Sequence, residues 1–207
     1  MIMGLAPRMA WQRSQEVSCL TAFMSERGAA WLVTGIQASG KSTVADLLAR
    51  QFEPSVHVRG GQFYRWAASG WVQPGEPSRE AEARRLLDLR YRLSAMVASE
   101  YCGAGFTCVV QDNIFGDDVT RWLGQVKTRL RYLVVLRPDP WTVARRESER
   151  MRRTGKVAYR PGGFTIAGLQ AALDQTPRAG LWLDNSSQTP RQTVDEILSR
   201  RSEAAID

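Results

Sequence analysis

Apolar residues along this chain fall into two kinds of run that alternate. Short continuous runs, such as Ala30-Trp31-Leu32-Val33-Thr34, have the length and composition of buried strands. Strands of this kind are predicted at about 30–34, 55–58, 106–111, 131–136 and 180–184. Between them, apolar residues recur at helical spacing. One such set is Val44, Leu47 and Leu48; a second is Ala83, Leu86, Leu87, Leu93, Val97 and Tyr101; a third is Val194, Ile197 and Leu198. Strands alternating with helices predict an α/β domain: a five-stranded parallel sheet with helices on both faces.

Punctuation supports the helix ends. Pro74, Gly75 and Pro77 break the chain, Ser78 stands where a cap is needed, and Glu80 and Glu82 occupy the first turn of a helix that Gly103 ends. Asp139-Pro140 predicts another helix start, and Thr189-Pro190-Arg191-Gln192 has capping-box spacing. Residues 1–27 show no clear period and contain Pro7 and Met24. They read as an appended N-terminal extension, either a flexible arm or an upstream alternative start, leaving 28–207 as one domain.

Composition adds limits. At 207 residues and 43% hydrophobic content the chain can build one full core with a small lid. It has no apolar run of about eighteen residues and no continuous apolar N-terminal segment, so neither a membrane span nor a secretory signal is expected. Cys19, Cys102 and Cys108 lack metal-type spacing, and their odd number suggests free thiols in a reducing cytoplasm. His57 is the single histidine, which argues against a histidine-held metal. The net charge of +7 is almost all arginine. Nucleic acid, local polyphosphate chemistry and a general arginine bias all account for such a total.

Gly35-Ile36-Gln37-Ala38-Ser39-Gly40-Lys41-Ser42 changes the picture most. It is a complete G-x-x-x-x-G-K-[ST] loop between a predicted strand and a predicted helix. Such a loop curls main-chain N–H groups around phosphate at a helix N-terminus. Gly35, Gln37, Ala38, Ser39, Gly40, Lys41, Ser42 and Thr43 are therefore expected to hold a nucleoside triphosphate. Lys41 would reach the β/γ-phosphates, and Ser42 would sit on Mg²⁺. Asp112, at the end of an apolar strand, is the expected partner of Ser42 on the metal, directly or through water, and a candidate base as well.

Two further segments carry candidates. Arg145, Arg146, Arg150, Arg152 and Arg153 crowd one helical stretch that runs into Gly155, Pro161, Gly162 and Gly163. This reads as an arginine-bearing lid over about 144–165. Arg146 and Arg150 share a face and Arg153 comes next, all placed to contact the nucleotide. The other reading is a solvated helix with Glu147 and Glu149 pairing to neighbours. In Val58-Arg59-Gly60-Gly61-Gln62-Phe63-Tyr64-Arg65-Trp66, Arg59, Gly61, Gln62 and Tyr64 are candidates for acceptor contact, while Phe63 and Trp66 fit equally a helix packed on the sheet.

Taken together, Gly35 to Thr43, Val56-His57-Val58-Arg59-Gly60, Val109-Val110-Gln111-Asp112, Arg146-Glu147-x-x-Arg150 and Thr176-Pro177-Arg178 with Leu181-Trp182-Leu183-Asp184 resemble the chloramphenicol phosphotransferase-like branch of the P-loop kinases, in the zeta-toxin and AAA-type kinase neighbourhood. The resemblance spans about 30–200. It implies a P-loop NTPase fold and ATP- and Mg²⁺-dependent transfer of the γ-phosphoryl group to a hydroxyl of a small antibiotic or metabolite. The protein would then be a cytoplasmic monomer or homodimer. One position departs from the pattern: an aspartate that acts as base usually follows the second-strand Arg-Gly, and here Gly61 stands there. A polynucleotide or RNA-end kinase and a nucleotide-binding protein with weak or no kinase activity are the alternatives. No RNA-binding module is read, so nucleic acid is not the expected partner.

Overall fold

Every residue of β1 (Ala30–Gly35) is buried, because the strand lies mid-sheet with helices above and below. The computed structural model describes residues 27–72, 77–159 and 163–207. The predicted N-terminal extension thus lies, up to residue 26, outside the described residues, as do Pro74, Gly75, Pro161 and Gly162.

After β1 come α1 (Lys41–Ala49), β2 (Ser55–Arg59), α2 (Gly61–Arg65), α3 (Glu80–Gly103), β3 (Thr107–Gln111), α4 (Asp117–Gln125) and β4 (Arg131–Leu136). The chain continues through α5 (Pro140–Thr154), α6 (Ile166–Asp174), β5 (Leu181–Leu183), α7 (Pro190–Ser199), α8 (Arg201–Ala204) and β6 (Ala205–Ile206). The five predicted strands are parallel in the order β2-β3-β1-β4-β5. A sixth, β6, adds to the expected set. The short β5 pairs only with Val134–Leu136, and β6 covers the rest of that edge antiparallel at Arg131 and Tyr132.

Alternation along the strands splits the core in two. Leu32, Val110, Leu133 and Val135 face α3 and α4, where Ala95, Ala98 and Trp122 meet them. Trp31, Val33, Val109 and Val134 face the opposite way, toward Val44 and Leu48 of α1 and Ile197 of α7. Trp31 stacks on Tyr132 with ring centroids 4.1 Å apart. Truncating a fully buried residue such as Leu32 to alanine would cost about 2–5 kcal/mol.

The helix starts at 139 and 189 form as predicted. Asp139 accepts from the Thr142 amide, and Thr189 and Gln192 form the reciprocal capping box. The stripe on α3 needs correction. Its buried residues are Ala83, Tyr91, Ser94, Ala95, Ala98, Ser99 and Cys102, whereas Tyr101 is exposed. Small residues let the helix approach the sheet, and Ser94 Oγ accepts from Trp122 Nε1 at 2.9 Å. A hydrophobicity pattern overlooks a face built from alanine and serine. The N-cap position of α3 is Arg79, preceded by a 3-10 turn at Pro77–Arg79, so Ser78 does not take the predicted cap.

The strand order reverses at β1: β2 and β3 lie to one side, β4 and β5 to the other. A crevice therefore opens beyond the carboxyl ends of β1, β3 and β4, the place where such sheets receive ligands.

Candidate active site

The loop after β1 is shaped by close approach. A Cβ on Gly35 would lie 2.4 Å from the Leu136 carbonyl oxygen, and its φ is 146°. Ala38 takes φ 64° and Gly40 φ 99°, both left-handed, so the chain reverses twice before α1 begins. No side chain caps α1. Its N-terminus opens on a cavity of about 600 Å³ lined by Gln37, Ala38, Gly40, Lys41, Ser42 and Thr43. Gly35 and Ser39 do not line it. The Ser39 carbonyl instead accepts from Arg146 Nη1 at 3.2 Å and from Asn185 Nδ2 at 3.1 Å, holding the back of the loop.

Lys41 is nearly buried and donates to the Ile36 carbonyl oxygen at 2.6 Å. Burial, aided by the charges of Arg90 and Arg150, holds its pKa down to about 7. A lysine in that position is short of an anion. A phosphate group set against it would restore the charge.

The arginine helix lines the same cavity through Arg145, Arg146, Arg150 and Arg153. Arg146 Nη2 also donates to the Asn185 carbonyl oxygen at 2.7 Å, so its guanidinium ties α5 to both the phosphate loop and the segment after β5. Arg150 pairs with Glu147, whose other oxygen accepts from the Ala158 amide at 2.6 Å. Tyr159 then donates to the Gln37 carbonyl oxygen at 2.8 Å. The segment after α5, which turns at Gly155 (φ 68°), is thereby drawn back over the loop.

Ser42 and Asp112 are not brought together. The Ser42 hydroxyl donates to Gln111 Oε1 at 3.0 Å. Asp112 is only 1% exposed and outside the cavity lining. It accepts from Arg90 Nε at 2.8 Å and from the Asn113 amide at 2.7 Å. Ser42 therefore meets Gln111 rather than Asp112, and Asp112, buried and paired with Arg90, does not line the cavity. The groups beside Ser42 do not fit a carboxylate-held Mg²⁺. What they offer is a hydroxyl and a neutral amide oxygen.

The second strand's end is built around the same aspartate. The Gly60 amide donates to the Gln111 carbonyl oxygen at 3.0 Å, and a Cβ on Gly60 would fall 1.9 Å from Asp112 Oδ2. Gly61, by contrast, faces open space with nothing within 4 Å. Arg59 lies 3.8 Å from Asp46, and Gln62 accepts from Arg65 Nη1 at 3.4 Å. Tyr64 carries the Arg90 guanidinium 4.5 Å over its ring and meets Trp71 edge-on. Of the two aromatics weighed for packing, Phe63 is buried and Trp66 is 72% exposed. None of Arg59, Gly61, Gln62 or Tyr64 lines the cavity.

Several site residues escape a reading by sequence. Asn185, Gln188 and Pro190 reach the cavity from the chain after β5, while Arg90, whose charge acts on Lys41 from outside the lining, comes from a helix whose pattern predicts only core. Gln111 stands directly before Asp112, and an apolar strand ending in two polar residues is the one signal that points to it.

No family model and no curated protein matches the chain by sequence. Solved structures do match by shape. A gluconokinase from Sinorhizobium meliloti superposes with TM-score 0.55 at 18% identity, over 86% of this chain and 95% of that one. Thymidylate kinase from Candida albicans gives TM-score 0.56 at 14% identity, over 87% and 96%. Shikimate kinase from Aquifex aeolicus gives 0.53 at 14%, over 84% and 96%. At these identities the likeness carries the architecture alone: this chain has the α/β fold that small P-loop kinases share.

Proposed function

We propose that the protein is an ATP-dependent phosphotransferase acting on a small acceptor, as the resemblance to chloramphenicol phosphotransferase-like kinases implies, with a hydroxyl as the receiving group. One observation carries this reading. A buried, anion-deficient Lys41 sits at the N-terminus of α1, facing Arg146, Arg150 and Arg153 across a single cavity. Phosphoryl transfer spreads negative charge over three equatorial oxygens, and fixed cations in a partly dry site meet that demand. In this scheme Lys41 and Arg150 flank the transferring group. Arg146 positions the loop and Arg153 contacts the phosphate tail. Acceptor contact falls to Arg59, Gln62 and Tyr64 at the open side.

Because Gly61 bears no side chain and Asp112 is tied to Arg90, transfer relies on positioning and charge neutralisation rather than on a carboxylate base. A nucleotide-binding protein with little turnover is the second reading, and Gly61 favours it.

Calorimetric titration of ATP, with γ-labelled transfer to a panel of hydroxylated antibiotics and metabolites, tests both. Wild type should gain about 2.7 kcal/mol of stability at a hundredfold excess of nucleotide over the dissociation constant. Lys41→Ala should lose that protection and all transfer. Equal ATP binding by wild type and Lys41→Ala would remove the proposal. Binding without transfer to any acceptor would favour the second reading.

A further inference from the structure

For a cavity that takes a nucleoside triphosphate, the reading on which this inference rests, the charge around Ser42 is unusual. Divalent cations beside phosphates are held by hard oxygen ligands, commonly with at least one carboxylate from the protein. Here the group on the Ser42 hydroxyl is the amide oxygen of Gln111. The neighbouring carboxylate, Asp112, is turned away beneath Gly60 and held by Arg90. Glu149 is the single carboxylate among the described lining residues, and it accepts from Arg145 Nη1 at 2.9 Å. Among the described residues no cluster of three or more acidic, histidine or cysteine side chains is placed to hold a metal. The same walls carry Lys41, Arg146, Arg150 and Arg153.

We propose that this site takes up its nucleoside triphosphate with little contribution from a divalent metal: Gln111 places a neutral amide on the Ser42 hydroxyl, and the lid arginines neutralise the phosphate tail. Gln111 is then a specificity-determining residue for the form of nucleotide bound. An acidic side chain at 111 would stand beside Ser42 and give a cation an anionic ligand. It would also repel a metal-free triphosphate.

The test measures binding of a fluorescent, non-hydrolysable ATP analogue to the full chain, in magnesium chloride and again in EDTA. The wild-type dissociation constant should differ by less than about fivefold between the two, and a larger loss of affinity in EDTA overturns the proposal. Gln111→Glu should bind at least about tenfold tighter with magnesium than without. Gln111→Ala should remain as insensitive to magnesium as wild type. If Gln111→Glu stays insensitive, or Gln111→Ala becomes dependent, Gln111 does not set the property. The wild-type comparison stands even if a variant fails to fold. Absence of binding in both buffers would remove the nucleotide reading itself, whereas binding that needs magnesium removes only this inference.

Discussion

The two sides of the crevice are built differently. On the side of the cavity, Lys41 and the arginines of α5 line the space and the polar contacts run between elements: Arg146 and Asn185 to the Ser39 carbonyl, Tyr159 to the Gln37 carbonyl. On the side of β2 and α2, charged and amide groups pair with one another: Arg90 with Asp112, Arg59 with Asp46, Gln62 with Arg65. The first side encloses a cavity of about 600 Å³. The second has its partners, and none of Arg59, Gly61, Gln62 or Tyr64 lines that cavity. Contacts between elements can thus fix the shape of a cavity before any ligand arrives.

The sharpest way to break this contrast is Arg90→Ala. It leaves Asp112 buried without its counter-charge and should cost about 3–5 kcal/mol in urea denaturation. Adding Asp112→Ala should recover much of that loss. A small effect of the single change would mean that the pair is not structural.

Next in size is a pH effect with opposite signs for folding and binding. Lys41 has a pKa of about 7 in the folded chain against an ordinary 10.5, so the unfolded state binds more protons between those values. Its contribution to stability should therefore rise with pH across that window. Nucleotide phosphate restores the lysine's proton, so affinity should fall above pH 7 by up to about tenfold per pH unit. Calorimetry in buffers of different ionisation enthalpy would show the proton taken up on binding. Affinity that is flat from pH 7 to pH 9, and equally flat in Lys41→Arg, would remove Lys41 as the phosphate contact.

Smaller still is the difference between two adjacent glycines. Gly60→Ala drives a methyl into Asp112 and should cost about 1–3 kcal/mol. Gly61→Ala meets nothing and starts a helix, so it should stabilise by up to about 1 kcal/mol. Thermal melts of the two variants would separate a packing constraint from an open position. The smallest effect is expected for Tyr159→Phe. Loss of its bond to Gln37 should weaken closure by about 0.5–1.5 kcal/mol, seen as faster amide exchange over residues 155–159 with the melting temperature unchanged.

The phosphate loop and the strands around it are legible in the chain because both are local. Glycine at 35 and 40, lysine at 41 and the apolar runs on either side act within a few residues of one another. The arginines of α5 are legible as a cluster on one helix, but not the contacts that each makes. Arg146 spends its guanidinium on carbonyl oxygens, and Arg150 meets Glu147 while its charge reaches Lys41. The buried face of α3 escapes a hydrophobicity pattern because alanine and serine carry little signal, although their small size is what lets the helix seat.

The sequence by itself determined that a parallel sheet would carry a glycine-rich loop into a helix N-terminus, since strand, turn and helix signals are short-range and mutually consistent. Only the tertiary structure decided which of two neighbouring polar side chains meets Ser42. Asp112 and Gln111 are neighbours in the chain, yet Arg90, from a helix some twenty residues earlier, claims one and leaves the other on Ser42. Charge pairing across distant elements depends on packing, which fixes the distances between them, and no run of residues along the chain encodes it.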